Sequence, residues 1–469
     1  MSFWTRRKAI DTITDQAPEH RLRPTLSWPH LLALGVGAIV GTGIYTLIGV
    51  GAGLAGPAVI LSFLIAGAVC ACAALSYAEL ATMMPAAGSA YTYSYAVLGE
   101  FLAWIVGWSL ILEYTVVCAA VAVGWSAHAT EFLGPHGLLP HALLVGPAEG
   151  GVINLPAVAI TFAVAALLIR GMRESAGANA VLVAVKLAAL AAFVVIAARA
   201  FDLRHFTPFM PQGFFGHAAD GSKVGVMPAA SIIFFAFYGF DAISTAAEET
   251  RNPGRDLTIG IIGSMALCVV IYMAVALAAL GAVPTDAFAR SAAPLVYVLD
   301  RLNQPLAAGL VAGAAVVALP TVILAFMYGQ SRIFFVMARD GLLPHGLSRV
   351  SAKTGAPGPV TLVTAAIAAA IAGFLPLKDI AALANAGTLC AFIAVAVCMV
   401  LLRIREPDRP RVFRAPLWWL IGPAGALGCL YLFTTLPQIT IALFFVWNGV
   451  GVLTYLLYGR RASLLARAG

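Results

Sequence analysis

The sequence has little charge. Only 10% of its 469 residues are Asp, Glu, Lys or Arg, whereas 61% are hydrophobic. Because the water-facing surface of a globular domain needs about a quarter charged residues, this composition excludes an ordinary soluble protein. Long apolar runs recur along the chain, and each is long enough to cross a bilayer core of about 30 Å. The sequence therefore predicts an all-α integral membrane protein.

The sequence also lacks the signatures of metal-binding and catalytic proteins. Its seven cysteines fall within the apolar runs and have neither zinc-site spacing nor a disulfide pattern. It contains no P-loop and no dinucleotide-binding glycine motif. We therefore expect no metal, no cofactor, no catalytic residue and no direct coupling to ATP. An integral-membrane enzyme is a weak alternative, because no nucleophile–base constellation stands out.

Twelve apolar segments are long enough to be membrane spans. They lie near residues 30–52, 57–81, 97–127, 152–169, 178–199, 226–248, 259–281, 305–331, 360–376, 381–402, 417–435 and 439–458. Most of the 28 lysines and arginines fall in the two tails and in alternate loops, which the positive-inside rule places in the cytoplasm. The net charge of +7 follows from this topology and needs no nucleic-acid partner.

The first segment is interrupted near its middle by Gly41-Thr42-Gly43. Glycine weakens a helix and permits unusual backbone angles. A break here would free N–H groups that suit a carboxylate and carbonyl groups, around Ile39, that suit an ammonium group. A glycine-rich face equally permits close helix packing, so the motif by itself supports both interpretations.

The sixth segment contains Gly239 among aromatic residues, followed by Asp241. A break before this glycine would expose the carbonyls of Phe235 and Ala236, and Asp241 would cap the second half-helix. Interrupted helices in the first and sixth positions indicate two inverted five-helix repeats. Such repeats place a substrate site near the midplane, between the two breaks.

Several stretches together resemble one family. They are Gly41–Tyr45, Gly107–Tyr114, Phe234–Thr245, Glu248–Arg255 and Arg332–Pro344. The combination is similar to the cationic amino acid transporter branch of the amino acid–polyamine–organocation (APC) superfamily, over nearly the whole chain. The resemblance implies a LeuT-like 5+5 inverted repeat with broken helices 1 and 6, two further helices, and uptake of L-amino acids by alternating access. Twelve spans favour a bacterial inner (plasma) membrane protein over the fourteen-helix animal carriers.

On this scheme the chain has four parts. Residues 1–29 form a cytoplasmic tail, 30–200 the first repeat, 201–403 the second repeat, and 404–469 helices 11 and 12 with a short cytoplasmic tail. The resemblance implies a substrate site around the first break and the sixth segment, at Ile39, Gly41, Thr42, Gly43, Phe235, Ala236 and Tyr238, and Glu113 is a further candidate because of its position within the third segment.

The roles within this site follow from the resemblance. The N–H groups of Thr42 and Gly43 would bind the substrate carboxylate, and the carbonyls of Ile39, Phe235 and Ala236 would receive the α-amine. Phe235 would also close the outer side as an aromatic lid. Tyr238 stands where relatives more often carry an aliphatic residue, so it either narrows the pocket or adds a hydroxyl.

Lys186 interrupts the apolar fifth segment. A charged amine at this depth costs at least ~2.5–3.5 kcal/mol, so it requires partners or a function. The implied fold places it beside the inner half of the first helix, near carbonyls around Gly37. Since burial favours a neutral amine, we expect Lys186 to exchange a proton near neutral pH and to be the proton site of a symporter. A static lysine, or one that snorkels to the interface, is the alternative.

Glu113 lies within the third segment and also requires a partner. It faces either a cationic substrate side chain or a structural hydrogen-bond network, and direct pairing with Lys186 is a third possibility. Near the inner helix ends, Glu249 and Arg332 are candidates for an intracellular gate, with Phe235 as the gate on the other side.

The sequence leaves several functions open. The first is proton-coupled symport of neutral or cationic amino acids, and the second is exchange of amino acids or polyamines without net proton flow. A channel or a non-transporting sensor is a different class, and the short tails disfavour a sensor domain. The expected partners are the amino acid, the proton and membrane lipid, with a small accessory membrane protein left open.

Overall fold

The computed structural model describes residues 6–14, 24–133, 139–170, 175–218, 221–291, 293–348 and 358–467. Parts of the predicted tail 1–29, namely residues 1–5 and 15–23, lie outside the described residues. The first half of the described chain contains the α-helices α1 (Ile10–Thr14), α2 (Trp28–Ile39), α3 (Ile48–Ala55), α4 (Val59–Met83), α5 (Ala90–Val97), α6 (Glu100–Leu133), α7 (Leu155–Arg170), α8 (Ser175–Ala198), α9 (Val226–Ile233) and α10 (Asp241–Thr245).

The second half of the described chain is also mainly helical. It contains α11 (Pro253–Ala282), α12 (Thr285–Phe288), α13 (Pro294–Arg301), α14 (Pro305–Ala318), α15 (Pro320–Arg339), α16 (Gly358–Phe374), α17 (Leu377–Arg405), α18 (Trp418–Thr435), α19 (Gln438–Thr454), α20 (Arg460–Ala462) and α21 (Leu464–Arg467). Two π-helices (Gly43–Leu47 and Tyr455–Gly459), several short 3₁₀ turns and a hairpin of β1 (Gly216–His217) and β2 (Lys223–Val224) complete the described structure.

Eight helical stretches in the described residues are long and apolar enough to cross a membrane, judged by length and composition. The longest, Trp28–Met83, has 56 residues and covers the first two predicted segments. Two further apolar helices, α7 and α16, are shorter. Helix underlies each of the twelve predicted segments, although the boundaries move. For example, α8 begins three residues before the predicted start at 178.

The helices differ in how deeply they are buried. Within Glu100–Thr130 and Val226–Thr245, 89% and 94% of an apolar 18-residue segment is buried. The corresponding share in Gln438–Ala462 is only 22%. The first two stretches are therefore central and the last lies at the periphery. Helix α2 packs against α8, α11 and α15, and α6 packs against α15 and α17. These central contacts position the residues described next.

Candidate functional site

The first break separates α2 from the π-helix Gly43–Leu47. Helix α2 ends at Ile39, and Val40 has an extended backbone with φ −74° and ψ 95°. Beyond the break, the N–H groups of Ile44 and Tyr45 both donate to the Gly41 carbonyl, at 3.2 and 3.3 Å. The interruption therefore falls where the glycine motif predicts it, and the chain leaves helical geometry for only a few residues.

The second break follows α9. The chain passes through a 3₁₀ turn, Phe234–Ala236, and resumes a helix at Asp241. Gly239 has φ +118°, and a Cβ here would lie 3.0 Å from the carbonyl carbon of Ala38. A residue with a side chain would be strained at this angle and would clash with α2, so glycine is required.

The two breaks touch each other at Gly43 and Ala236. A Cβ on Gly43 would lie 2.3 Å from the Ala236 Cα, a distance that no real contact permits. The absence of a side chain at Gly43 is therefore what allows the two interrupted segments to cross in contact.

A small cavity lies at this crossing. Its space is about 220 Å³, including the part open to solvent. The lining residues are Ala38, Ile39, Gly41, Thr42, Gly43, Val117, Val121, Phe235, Tyr238, Val322 and Phe326. Most of these side chains are apolar. Two polar exceptions, the hydroxyls of Thr42 and Tyr238, are buried and have no hydrogen-bond partner among the described residues. An unpaired buried hydroxyl is unfavourable, so a ligand that bonds to these groups would gain affinity.

The structure brings most of the predicted substrate residues to the cavity. Ile39, Gly41, Thr42, Gly43, Phe235 and Tyr238 all line it. Ala236 does not line it, because it packs against Gly43 instead. The Ile39 carbonyl, predicted to receive an amine, already accepts a hydrogen bond from the Tyr272 hydroxyl at 2.7 Å. That carbonyl is therefore engaged in this conformation.

Glu113 is fully buried but does not line the cavity. It lies on α6, one helical turn before Val117, and Gly387 packs directly against its Cβ. Neither carboxylate oxygen has a hydrogen-bond partner among the described residues. Pairing with Lys186, one of the three alternatives for Glu113, does not occur among the described residues, because the Lys186 amine donates to Gly37, Val40 and Thr321.

The predicted capping role of Asp241 is wrong. The helix begins at Asp241 itself and Phe240 occupies the N-cap position. One Asp241 oxygen accepts from the Gly239 N–H at 3.1 Å, and the other accepts from the Tyr114 hydroxyl at 2.5 Å. Asp241 therefore holds the positive-φ turn and ties it to α6.

Lys186 lies on α8 and is 1% exposed. Its Nζ donates to the carbonyls of Gly37 and Val40, both at 2.7 Å, and to the Thr321 hydroxyl at 3.0 Å. An ammonium group has three N–H donors, and the three acceptors match them. One side chain thus joins α8 to α15 and to the end of α2, next to the first break.

Sequence reasoning missed two residues of this network as hydrogen-bonding partners. Thr321 bridges by accepting from Lys186 and donating to the Ala318 carbonyl at 2.7 Å, and Tyr272 binds the Ile39 carbonyl. Both stand in long apolar segments that contain other hydroxyl residues. Only the tertiary packing of α11 and α15 on α2 distinguishes them.

The residues proposed as gates form two groups. Phe235 lines the cavity and packs edge-to-face on Tyr238, with ring centroids 5.1 Å apart. In the second group, Arg332 pairs with Glu249 at 3.0 Å, and the Arg332 guanidinium lies 3.5 Å from the centroid of the Tyr328 ring. The Tyr328 hydroxyl also donates to Glu249. The second group joins α15 to the chain that follows α10.

A model of the amino acid permease family matches residues 26–458. The chain is 42% identical over 466 residues to the branched-chain amino acid permease BcaP of Bacillus subtilis (strain 168), with 98% of each chain covered. It is 39% identical over 469 residues to the methylthioribose transporter of the same organism, covering 99% of this chain and all of that one.

A plant relative is similar over a shorter stretch. Cationic amino acid transporter 2, vacuolar, of Arabidopsis thaliana is 39% identical over 408 residues, which is 86% of this chain and 63% of the relative. These matches and the apolar helices agree with one another. The chain therefore belongs to the amino acid permease family of the APC superfamily, and it is a multi-pass membrane transporter rather than an enzyme.

Proposed function

We propose that the protein is a secondary active L-amino acid permease that works by proton-coupled symport. In this proposal twelve spans form a LeuT-like 5+5 inverted repeat, residues 30–200 and 201–403, followed by helices 11 and 12. Both termini lie in the cytoplasm of a bacterial cell. The observation that carries the proposal is the buried Lys186 amine, bonded beside a helix break that also lines the cavity.

The cavity supplies complementary groups for an amino acid. The N–H groups of Thr42 and Gly43, which precede those that donate to the Gly41 carbonyl, lie at the positive end of the helix dipole and suit a carboxylate. The hydroxyls of Thr42 and Tyr238, which have no partner in the part of the chain that the structure describes, would also bond to the substrate. Because the Ile39 carbonyl accepts from Tyr272, the α-amine would use the carbonyl of Phe235, which lines the cavity, or displace the Tyr272 hydroxyl.

The walls favour an aliphatic side chain. Val117, Val121, Val322 and Phe326 form an apolar surface, and Glu113 lies outside the lining. A cationic side chain of a substrate would have to extend beyond this wall to reach the Glu113 carboxylate. We therefore propose neutral, aliphatic amino acids as substrates, in agreement with the relative named as a branched-chain amino acid permease.

Lys186 couples the proton to the moving helix. Protonated, the amine satisfies the carbonyls of Gly37 and Val40 and the Thr321 hydroxyl together. Deprotonated, it has one N–H fewer and loses one of these bonds. The inner half-helix α2 is then held less firmly against α8 and α15. Loss of the proton would therefore favour opening toward the cytoplasm, where Glu249 and Arg332 form the gate.

The test is transport by purified protein in liposomes. With an inward proton gradient, labelled leucine, isoleucine or valine should accumulate above the external concentration, and collapse of the gradient should release it. A panel with arginine and methylthioribose defines the substrate class. Uptake that requires internal amino acid and ignores the gradient would show an exchanger instead. Ion currents beyond the substrate-coupled charge would show a channel.

A further inference from the structure

Asn179 lies on the same face of α8 as Lys186, about two helical turns nearer the start of that helix. Its Nδ2 group donates to the Ala33 carbonyl of α2 at 3.3 Å. The Lys186 amine donates to the carbonyls of Gly37, in the same helix, and of Val40, which follows it. Helix α8 therefore holds α2 at two points, through one neutral amide and one ionisable amine.

The packing between these two points is close. A Cβ on Gly37 would lie 3.2 Å from a methyl carbon of Val183 and 3.3 Å from the Oδ1 atom of Asn179. The missing side chain at Gly37 therefore lets α8 approach the backbone of α2. The Asn179 amide lies directly beside the residue whose carbonyl accepts from Lys186, so the two bonds belong to one contact.

Stability alone does not explain an asparagine at this position. Asn179 is 6% exposed, and its Oδ1 atom has no hydrogen-bond partner among the described residues. Burial of an unpaired amide oxygen is unfavourable. The Ala33 carbonyl lies within α2, where the helix itself provides a donor. An apolar side chain of similar size would thus leave no group of α2 unsatisfied, which favours a role of the amide in transport.

The surroundings of Lys186 make its amine the pH-sensitive member of this contact. The Cys268 thiol of α11 lies within electrostatic range of the amine, and the Tyr45 hydroxyl of the π-helix donates to the Lys186 carbonyl at 3.4 Å. From α15 the facing group is the Thr321 hydroxyl, and α14, which also packs on α8, carries no titratable side chain. Asn179 is uncharged, so its bond is the same whether or not the amine is protonated.

We propose that Asn179 is a positioning residue, which holds α2 against α8 in both protonation states of Lys186 and thereby sets the pH at which α2 is released. The inference rests on the proposed function, in which the protonated amine keeps α2 packed on α8. This packed form binds the proton more tightly, because only there does the amine have its three acceptors.

The sign of the effect follows from this linkage. The bond between Asn179 and Ala33 forms only when α2 is packed on α8. Its loss therefore favours release of α2 at every pH, and a higher proton concentration is needed to restore packing. Removal of the amide should move the midpoint of release to lower pH.

The experiment measures release of α2 by hydrogen–deuterium exchange of peptides from residues 28–40 in the purified full-length protein, at a series of pH values. The variant Asn179→Leu keeps a side chain of similar size that cannot donate. On the acid side of the midpoint these peptides should exchange about twofold to tenfold faster than in the wild type, the range expected for one hydrogen bond. The midpoint itself should move down by up to about one pH unit.

The matched control is Asn448→Leu, which removes an amide that donates within α19 to the Phe444 carbonyl, and it should leave exchange in α2 unchanged. A purely structural role of Asn179 would lower the Tm of Asn179→Leu without moving the midpoint, and that result would overturn the proposal. We expect the Tm to stay the same or rise, because a buried unpaired oxygen is removed. If leucine does not fit, the smaller Asn179→Ala tests the same midpoint.

A transport measurement separates this inference from the proposed function. If wild-type liposomes accumulate leucine in response to a proton gradient but Asn179→Leu and Asn179→Ala keep the wild-type midpoint, only the role of Asn179 is refuted. If the wild type shows neither gradient-driven accumulation nor pH-dependent exchange in α2, the proposed function fails and this inference fails with it.

Discussion

The Lys186 amine lies 2.7 Å from the carbonyl oxygen of Val40, the residue that directly follows the end of α2. In an unbroken helix this carbonyl would bond within the helix, and a lysine could not reach it without competition. The break and the buried charge therefore explain each other. The interruption frees an acceptor, and the amine satisfies it in the buried interior, where both residues are almost fully shielded from solvent.

Replacing Lys186 with alanine should abolish accumulation driven by a proton gradient. The variant removes the titrating amine, so the gradient has no group through which to act on α2. Exchange of labelled for unlabelled substrate should continue, because Lys186 does not line the cavity. Proteoliposome uptake with a proton gradient measures accumulation, and uptake without the gradient into liposomes that contain unlabelled substrate measures exchange. Lys378→Ala, an exposed lysine, is the control, and gradient-driven accumulation by Lys186→Ala would refute the coupling role.

Replacing Thr321 with valine should weaken coupling without abolishing it. The substitution keeps the shape but removes an acceptor of the Lys186 amine. A hydrogen bond of this kind contributes about 0.5–1.5 kcal/mol, or more when charged, so the gradient-driven accumulation ratio should fall severalfold. In the control, Thr454→Val, the lost hydroxyl bonds only within its own helix. Unchanged coupling in Thr321→Val would show that the hydroxyl is not part of the proton site.

Replacing Gly43 with alanine should eliminate transport. The added methyl would fall 2.3 Å from the Ala236 Cα, so the two breaks would have to separate and the cavity would change shape. We expect substrate binding by thermal shift to disappear and uptake to fall more than about tenfold, since misplacement of binding groups by 1 Å is enough for such losses. Gly449→Ala, where the methyl meets open space, should transport normally. Normal uptake by Gly43→Ala would mean that the crossing is not required.

Much of this arrangement could be predicted from the sequence because it is local. A run of apolar residues indicates a span, glycines weaken the helix at a definite position, and one lysine in an apolar run needs acceptors nearby. Each of these inferences uses neighbours in the chain. The approximate positions of the apolar helices and the position of the first break follow from them, whereas the exact helix bounds differ by several residues.

The side-chain partners could not be predicted, because they depend on which face of each helix points inward. Helix α6 is buried on nearly every side, so it has no polar stripe to mark the face of Glu113. For the same reason, the roles of Tyr272 and Thr321 as hydrogen-bonding partners could not be predicted. The error on Asp241 is one residue at a helix start, and it changes the role of the carboxylate from a cap to a tie between the turn and Tyr114.

Replacing Tyr238 with phenylalanine should reduce substrate affinity but not the stability of the unliganded protein. The hydroxyl has no hydrogen-bond partner among the described residues, so its loss leaves no protein group unsatisfied and the Tm should stay the same or rise slightly. If the hydroxyl bonds to the substrate, the Kd should increase several-fold, as expected for about 1 kcal/mol. Titration calorimetry gives the Kd, with the exposed Tyr431→Phe as control. A Kd equal to that of the wild type would place the hydroxyl outside the substrate contacts.

The Glu249–Arg332 pair should behave as a coupled, partly buried unit. The two side chains are only 12% and 7% exposed, and removing one leaves the other charge without its partner. We expect each of Glu249→Gln and Arg332→Gln to destabilise the protein by about 3 kcal/mol. The double variant should cost clearly less than the two combined, because neither charge is then stranded. Thermal unfolding of the four proteins measures this coupling.

The control for the comparison of the single and double variants of Glu249 and Arg332 is Arg409→Gln. Its partners Glu406 and Asp11 are 44% and 83% exposed, so the loss should stay below about 1 kcal/mol. If the pair also closes the inner side, the single variants should release preloaded substrate from inside-out vesicles faster than the wild type, while Arg409→Gln should not. Additive losses of stability together with unchanged release would remove Glu249 and Arg332 from the gate and leave them as ordinary ion-paired residues of α15 and its neighbour.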